Sequence, residues 1–315
     1  MNFRNNLFLV FIITLLVSCQ EKKEPENAGD VLISKHLVES NSSLLQNKDT
    51  GIKIIDFRKP DQFEKGHISG AINLWRTDIQ DTSFSYGGIR AKKDVLETRL
   101  GNLGITNDDT LVVYDNRGSA DASRLWWLLK LYNFDKVYLL NGGYSSWERM
   151  GGGITLDNPE IKPAEFSLPA TNNAQLVIER EDLLRRLNSG NSNVFLVDAR
   201  TADEHHGKTI KDGARRGGHI PSSIHIDWAE AVDYGHTYRF KPIPELENIY
   251  SRIGASKEDT IIVYCHTGVR SAHTTFVLTQ LLDYKNVLNY DGSWVEWSYF
   301  VDSPIEKNLK SPVKK

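Results

Sequence analysis

A chain of 315 residues is longer than one ordinary core, and its 40% hydrophobic and 25% charged residues are those of a folded globular protein, which excludes disordered and collagen-like classes. A formal net charge of −3 gives no reason to expect a nucleic-acid partner, and two cysteines, Cys19 and Cys265, cannot supply a disulfide framework. Each cysteine therefore needs its own explanation.

At the N-terminus, Met1 to Asn6 carries a single positive charge on Arg4, and Leu7 to Val17 is an apolar run of eleven residues. That run is too short to span a bilayer comfortably and suits the core of a signal peptide. It ends in Leu16-Val17-Ser18-Cys19, which resembles the bacterial lipobox, whose cysteine is lipidated and becomes the mature N-terminus. An ordinary secretory signal with an incidental cysteine is the alternative. Residues 1–18 are thus expected to be a lipoprotein signal peptide, and 19–29 a charged, solvated tether (Gln20-Glu21-Lys22-Lys23-Glu24-Pro25-Glu26-Asn27). Gln20 follows the cysteine where an Asp is absent, so by analogy with Gram-negative lipoproteins the expected location is the cell envelope, lipid-anchored in the outer membrane.

The rest of the chain reads twice. Ile54-Ile55-Asp56-Phe57-Arg58 returns as Leu196-Val197-Asp198-Ala199-Arg200, and Gly66-His67-Ile68 as Gly218-His219-Ile220. Thr110-Leu111-Val112-Val113-Tyr114 returns as Thr260-Ile261-Ile262-Val263-Tyr264, and Gly142 through Trp147 as Gly292 through Trp297. The later pairs all stand 150 positions apart, but Asp56 and Asp198 differ by 142 and His67 and His219 by 152. The second copy therefore carries ten extra residues, in the polar stretch Gly207 to Gly217, and such a loop beside strand ends is expected to face a substrate.

Short apolar runs (Val194–Val197, Ile224–Ile226, Ile261–Tyr264, Val287–Leu288) alternate with amphipathic segments (Glu181–Leu187, Leu246–Arg252, Ser271–Leu282). That alternation predicts an α/β fold: two tandem domains, each a mainly parallel sheet flanked by helices. The expected limits are 30–157 and 174–307, with an extended linker at 158–173 holding Pro159, Pro163 and Pro169, and a basic tail at 308–315.

Within the second copy, the run Thr260 to Tyr264 stops at Cys265 and is followed by His266-Thr267-Gly268-Val269-Arg270-Ser271 and a helical pattern. A strand end, a tight glycine-containing loop and a helix start aim several backbone N–H groups at one sulfur, which favours a thiolate or an anion bonded to it. A cysteine at an arbitrary site is more often inert packing; this placement makes Cys265 the candidate nucleophile.

Asp-x-Arg, Gly-His-Ile, strand-Tyr-loop-helix and Gly before Trp, in that order and twice over, resemble the tandem rhodanese-type sulfurtransferases across roughly residues 30 to 305. In that family the C-terminal copy bears the catalytic cysteine, and here Asp115 stands 150 positions before Cys265. The first copy is then a structural and pocket-forming partner. The resemblance implies a Cys265 persulfide, loaded from a small-molecule sulfur donor and unloaded by a thiophilic acceptor such as cyanide, a thiol or a protein cysteine, in a monomer without metal or organic cofactor. His266, Thr267, Gly268, Val269, Arg270 and Ser271 would form the persulfide-binding loop, with Arg270 suited to an oxyanionic donor. The related cysteine phosphatases need one residue more between cysteine and arginine than the four found here, which disfavours phosphate chemistry.

Donor choice is the less determined part. Family members using 3-mercaptopyruvate often read Cys-Gly-Ser-Gly-Val-Thr where this chain reads Cys265-His266-Thr267-Gly268-Val269-Arg270. The arginine of the family's Arg-Phe pair corresponds to Glu204, and the thiosulfate enzymes' loop lysine to Thr267. Arg270, with Arg215 and Arg216 in the extra loop, are candidates to supply the missing charge. Thiosulfate is the first expectation, 3-mercaptopyruvate the second, and a sulfur carrier or envelope docking module the non-enzymatic alternative. Arg200 and His219 recur as Arg58 and His67 in the inactive copy, so structural roles are favoured, with substrate contact the lesser reading for Arg200. Trp228 is expected as a core or interdomain aromatic, with pocket wall as the minority reading. His205 and His206 lack a ligand pattern, and Trp126-Trp127 read as core.

Overall fold

A computed structural model describes residues 32–33, 51–189 and 194–307. Cys19 and the lipobox lie outside the described residues. The first copy is built on strands β1 (Leu32–Ile33), β2 (Ile52–Asp56), β4 (Ile72–Asn73), β5 (Thr110–Tyr114) and β6 (Val137–Leu140), in the all-parallel order β1-β6-β5-β2-β4. The second is built on β8 (Val177–Ile178), β9 (Val194–Asp198), β10 (Ile224–His225), β11 (Thr260–Tyr264) and β12 (Asn286–Tyr290), in the parallel order β10-β9-β11-β12-β8. The two orders are the same once the repeat is superposed. In each, the β-branched run that ends at Tyr114 or Tyr264 is the middle strand, buried on both faces as a central parallel strand requires.

Each copy also closes on itself. In the first, β3 (His67–Ile68) pairs antiparallel with β7 (Ile154–Thr155); in the second, His219 exchanges both backbone hydrogen bonds with Glu306 at 2.9 Å. Helices cover the sheets: α1 (Pro60–Phe63), α2 (Lys93–Asn102), α3 (Ala122–Leu131) and α4 (Gly143–Arg149) in the first copy. The second has α5 (Arg180–Ser189), α6 (Ala202–His205), α7 (Ile243–Tyr250), α8 (Val269–Phe276) and α9 (Ser293–Tyr299). Helix α8 continues as a π-helical turn over Val277–Leu281. The bridge between copies is extended, and it lies along α2: Ala164 N–H bonds Gly101 O at 2.9 Å, while Phe166 and Leu168 are buried.

The copies are joined through the helices that follow their two loops, α3 and α8. Trp126 meets Phe276 edge-on at 4.9 Å, and one apolar cluster runs from Leu125, Trp126 and Trp127 to Val197, Ile226 and Phe276. Truncating either Trp would cost roughly 3–5 kcal/mol. Each copy's polar hairpin reaches across as well. The hairpin closed by the Gln80–Arg90 bridge places Gly88 on Thr267, and the one closed by the Val232–Phe240 bridge places Val232 and the Tyr234 hydroxyl on Gly118.

Candidate active site

Cys265 leaves the carboxyl end of β11, flanked in register by β9 and β12, and the chain turns at Gly268 (φ +76°) into α8. Both turns are held by Ser293, the first residue of α9. Its hydroxyl accepts the N–H groups of Cys265 and Gly268, each at 3.1 Å, and donates to Tyr290 O at 2.8 Å. Ser293 adopts φ +50°, a conformation costly for a residue with a Cβ, and its counterpart Gly143 adopts φ +54°. The chain accepts that strain only in the copy where the hydroxyl has a loop to hold.

The Cys265 thiol is fully buried, with the Ser271 hydroxyl 3.5 Å from Sγ. Burial raises its pKa, but the Arg270 charge, the Ser271 hydroxyl and the backbone N–H groups of Ser271 and Thr267 outweigh it and leave the thiol below its ordinary value. The first copy shows what this loop shape binds. There the Asp115 carboxylate accepts N–H groups from Arg117 (2.8 Å), Ser119 (2.9 Å), Asp121 (2.7 Å) and Ala122 (2.9 Å). These correspond by the repeat to Thr267, Val269, Ser271 and Ala272. The first copy's loop is an anion cradle filled by its own side chain, and in the Cys265 loop two of the matching donors, the Thr267 and Ser271 N–H groups, act on sulfur.

Arg270 is buried and held as a fork by Glu204: Nη1 donates to Oε2 at 2.7 Å and Nη2 to Oε1 at 2.8 Å. Glu204 also receives the Thr201 hydroxyl at 2.9 Å and lies 3.7 Å from Lys211 Nζ. Burial raises its carboxyl, but Arg270, Lys211 and Thr201 bring it down to about 2. The residue that departs from the Arg-Phe pattern is thus the partner of the loop arginine, a pairing across 66 positions that motif comparison did not reveal.

The ten-residue insertion does reach the loop, since Asp212 O lies 3.0 Å from His266 Nε2 and Lys211 faces Glu204. Its arginines point elsewhere. Arg216 donates to the carbonyls of Trp297 and Ser298 at 3.2 and 3.0 Å, to Ser303 O at 3.2 Å and to Phe300 O, capping the C-terminus of α9. Arg215 lies over the Tyr299 ring, 3.9 Å from its centroid. Arg200 is bonded to both Asp198 oxygens and to Gly218 O, and lies 4.3 Å from the Trp294 ring centroid. Arg58 repeats this with Asp56 and Gly66 O, so the motif braces the sheet end in a copy that has no thiol. Trp228 is buried edge-on to His273 at 5.2 Å, with Arg117 of the first copy 5.8 Å from its ring centroid. His205 bonds Asp198 at 2.9 Å and stacks on His219 at 3.9 Å, where the first copy stacks Phe63 on His67.

A doubled α/β domain with one thiol among the described residues, set in an N–H cradle, and a carboxylate in the equivalent cradle of the other copy, defines a two-copy cysteine-loop protein. The rhodanese-like domain family matches residues 40–150 and again 179–299, and the chain belongs to that family. A protein of Mycobacterium leprae provisionally named thiosulfate sulfurtransferase is 36% identical over 290 residues, covering 88% of this chain and 98% of that one. A protein of Mycobacterium bovis, provisionally named thiosulfate sulfurtransferase SseA, is 36% identical over 254 residues, covering 77% and 80%. Among solved structures, SseA from Escherichia coli, described with the mechanism of 3-mercaptopyruvate sulfotransferases, superposes with a TM-score of 0.71 at 27% identity, covering 84% of this chain and 98% of that one.

Proposed function

We propose that this protein is a thiosulfate sulfurtransferase acting through Cys265. The thiolate attacks the outer sulfur of thiosulfate, the S–S bond breaks, and its electron pair leaves with sulfite. The outer sulfur stays on Cys265 as a persulfide anion in the cradle of Thr267, Val269, Ser271 and Ala272 N–H groups. A thiophilic acceptor, cyanide or a thiol, then takes that sulfur and returns the thiolate. The observation that carries this reading is the Asp115 carboxylate, an anion held by four N–H groups in the matching loop. The test is mass spectrometry after thiosulfate treatment: one added sulfur atom on the Cys265 peptide, removed by cyanide, supports it, and an unmodified peptide overturns it.

One observation favours 3-mercaptopyruvate as a second reading. Both terminal nitrogens of Arg270 are occupied by Glu204, so the loop has less free positive charge for a dianion than the sequence suggests. A preference for mercaptopyruvate in the same loading experiment selects that donor and keeps Cys265. We also propose that the protein acts as a monomer without nucleic-acid partners, tethered to the outer membrane of a Gram-negative cell envelope by a lipid on Cys19. Palmitate labelling of the full chain in a Gram-negative host, lost in Cys19→Ser, supports the anchor; equal labelling of both contradicts it.

A further inference from the structure

The copy without a thiol is wired into the loop that has one through a buried carboxylate and two arginines. Asp291, at the end of β12, is fully buried and is met by two arginines of the first copy. Arg90 Nη1 lies 2.9 Å from Oδ2 and Arg124 Nη1 lies 2.6 Å from Oδ1, while Arg90 N–H also donates to Oδ2 at 3.1 Å. Arg124, itself buried, bridges onward: Nη2 donates to Gly88 O at 3.0 Å and Nη1 to Gly268 O at 3.4 Å. Asn289 Nδ2 donates to the same Gly268 oxygen at 3.3 Å. Gly88 rests on Thr267, where a Cβ would come within 2.6 Å of the Thr267 Cβ.

The repeat supplies its own comparison. The positions matching Arg90, Arg124 and Asp291 are Phe240, Thr274 and Asn141. One bond survives there, Phe240 N–H to Asn141 Oδ1 at 3.0 Å, and the three matched side chains themselves are uncharged. The glycine matching Gly268 is Gly118, and it faces Val232 and the Tyr234 hydroxyl in place of a guanidinium. The hairpin exchange is thus common to both loops, and the buried Arg90–Asp291–Arg124 group stands at the loop that bears the cysteine.

A trans peptide points its C=O and N–H in opposite directions. Donors that pull Gly268 O outward therefore turn the Val269 N–H inward, the donor whose counterpart, Ser119 N–H, holds the Asp115 carboxylate at 2.9 Å. We infer that Arg124 of the inactive copy is a positioning residue for the Cys265 persulfide, setting the Gly268–Val269 peptide while it and Arg90, itself shared with Glu179, neutralise the Asp291 carboxylate beside the cradle. This rests on Cys265 being the reacting thiol, as proposed above.

The test uses the full chain carrying Cys19→Ser, in which Cys265 is the one thiol. Its alkylation by iodoacetamide is followed against pH, with no sulfur donor present, alongside thiosulfate:cyanide turnover. Arg124→Met is expected to raise the alkylation midpoint by about one pH unit and to lower kcat about tenfold with KM little changed. Arg124→Lys keeps the charge and loses the fork, so it recovers the titration but only part of kcat. A folded Arg124→Met variant that titrates and turns over as the parent does overturns the inference. Should Arg124→Met fail to fold, Arg124→Lys decides alone: reduced kcat with an unshifted titration supports positioning, and full kcat overturns it. A parent with no turnover defeats the donor reading and not this one, since the titration then reports whether Arg124 acts on the thiol.

Discussion

Replacing Glu204 by Gln removes the charge that clamps Arg270 while keeping the side chain's size. The Glu204 carboxyl is held at about 2 against an ordinary 4.5: burial pushes it up, and Arg270 on two bonds, Lys211 and Thr201 pull it down further. A carboxyl whose folded pKa is depressed contributes stability that is present above its unfolded pKa and lost as pH falls through its folded one. The displacement corresponds to a ceiling of about 3 kcal/mol, reduced by whatever water screens Lys211 and the outer oxygen. Urea unfolding at neutral pH should therefore show Glu204→Gln less stable by about 2–3 kcal/mol, with the gap closing between about pH 4.5 and about pH 2. The freed Arg270 also acts on Cys265 undiminished, so the thiol should titrate lower than in the parent. Equal midpoints at neutral pH, or a gap that persists unchanged into acid, would refute the argument that this pair is an ionised clamp.

Arg216→Met should cost about 2 kcal/mol through the lost cap on α9 while leaving the KM for thiosulfate unchanged, because its donors are spent on the carbonyls of Trp297, Ser298, Phe300 and Ser303. A raised KM in a stably folded variant would place this arginine on the donor instead. Burial and the neighbouring Asp121 hold the Asp115 carboxyl up at about 6, above its ordinary 3.8. Its favourable contribution is full below the unfolded value and is lost as pH rises through the folded one. The stability of the parent relative to Asp115→Asn should therefore decline between about pH 4 and about pH 6 in paired unfolding curves, and a constant difference would contradict the buried-carboxylate account.

The doubled plan is written in local residues, which is why it could be read. Strands ending at Tyr114 and Tyr264, the Asp-x-Arg and Gly-His-Ile elements, and the ten-residue difference in spacing all recur as structure, with element ends within a few residues of expectation. Cys265 was marked by a strand that ends where a glycine turn and a helix begin, a pattern contained in twelve consecutive residues. The partners of that loop were not so marked. Glu204 lies 66 positions from Arg270, and Arg124 lies 144 from Gly268, separations at which no periodicity or turn signal operates. Glu204 looked like a missing arginine because a motif compares one position at a time, whereas the physical unit is a pair. The arginines of the insertion looked like spare charge because charge carries no direction in a sequence, and in the fold Arg216 is consumed by a helix end. One signal was within reach: the repeat matches Asn141 with Asp291 and Thr274 with Arg124, and an unneeded charge in a buried position of one copy points to a partner in the other.

The central claim is that sulfur passes through Cys265, and the most direct measurement is thiocyanate formation from thiosulfate and cyanide by the full chain, with Cys265→Ser and Asp115→Ala beside it. Thiocyanate production that vanishes in Cys265→Ser and persists in Asp115→Ala is the predicted result. Equal production by the parent and Cys265→Ser, or none by either with thiosulfate and with 3-mercaptopyruvate, would contradict it.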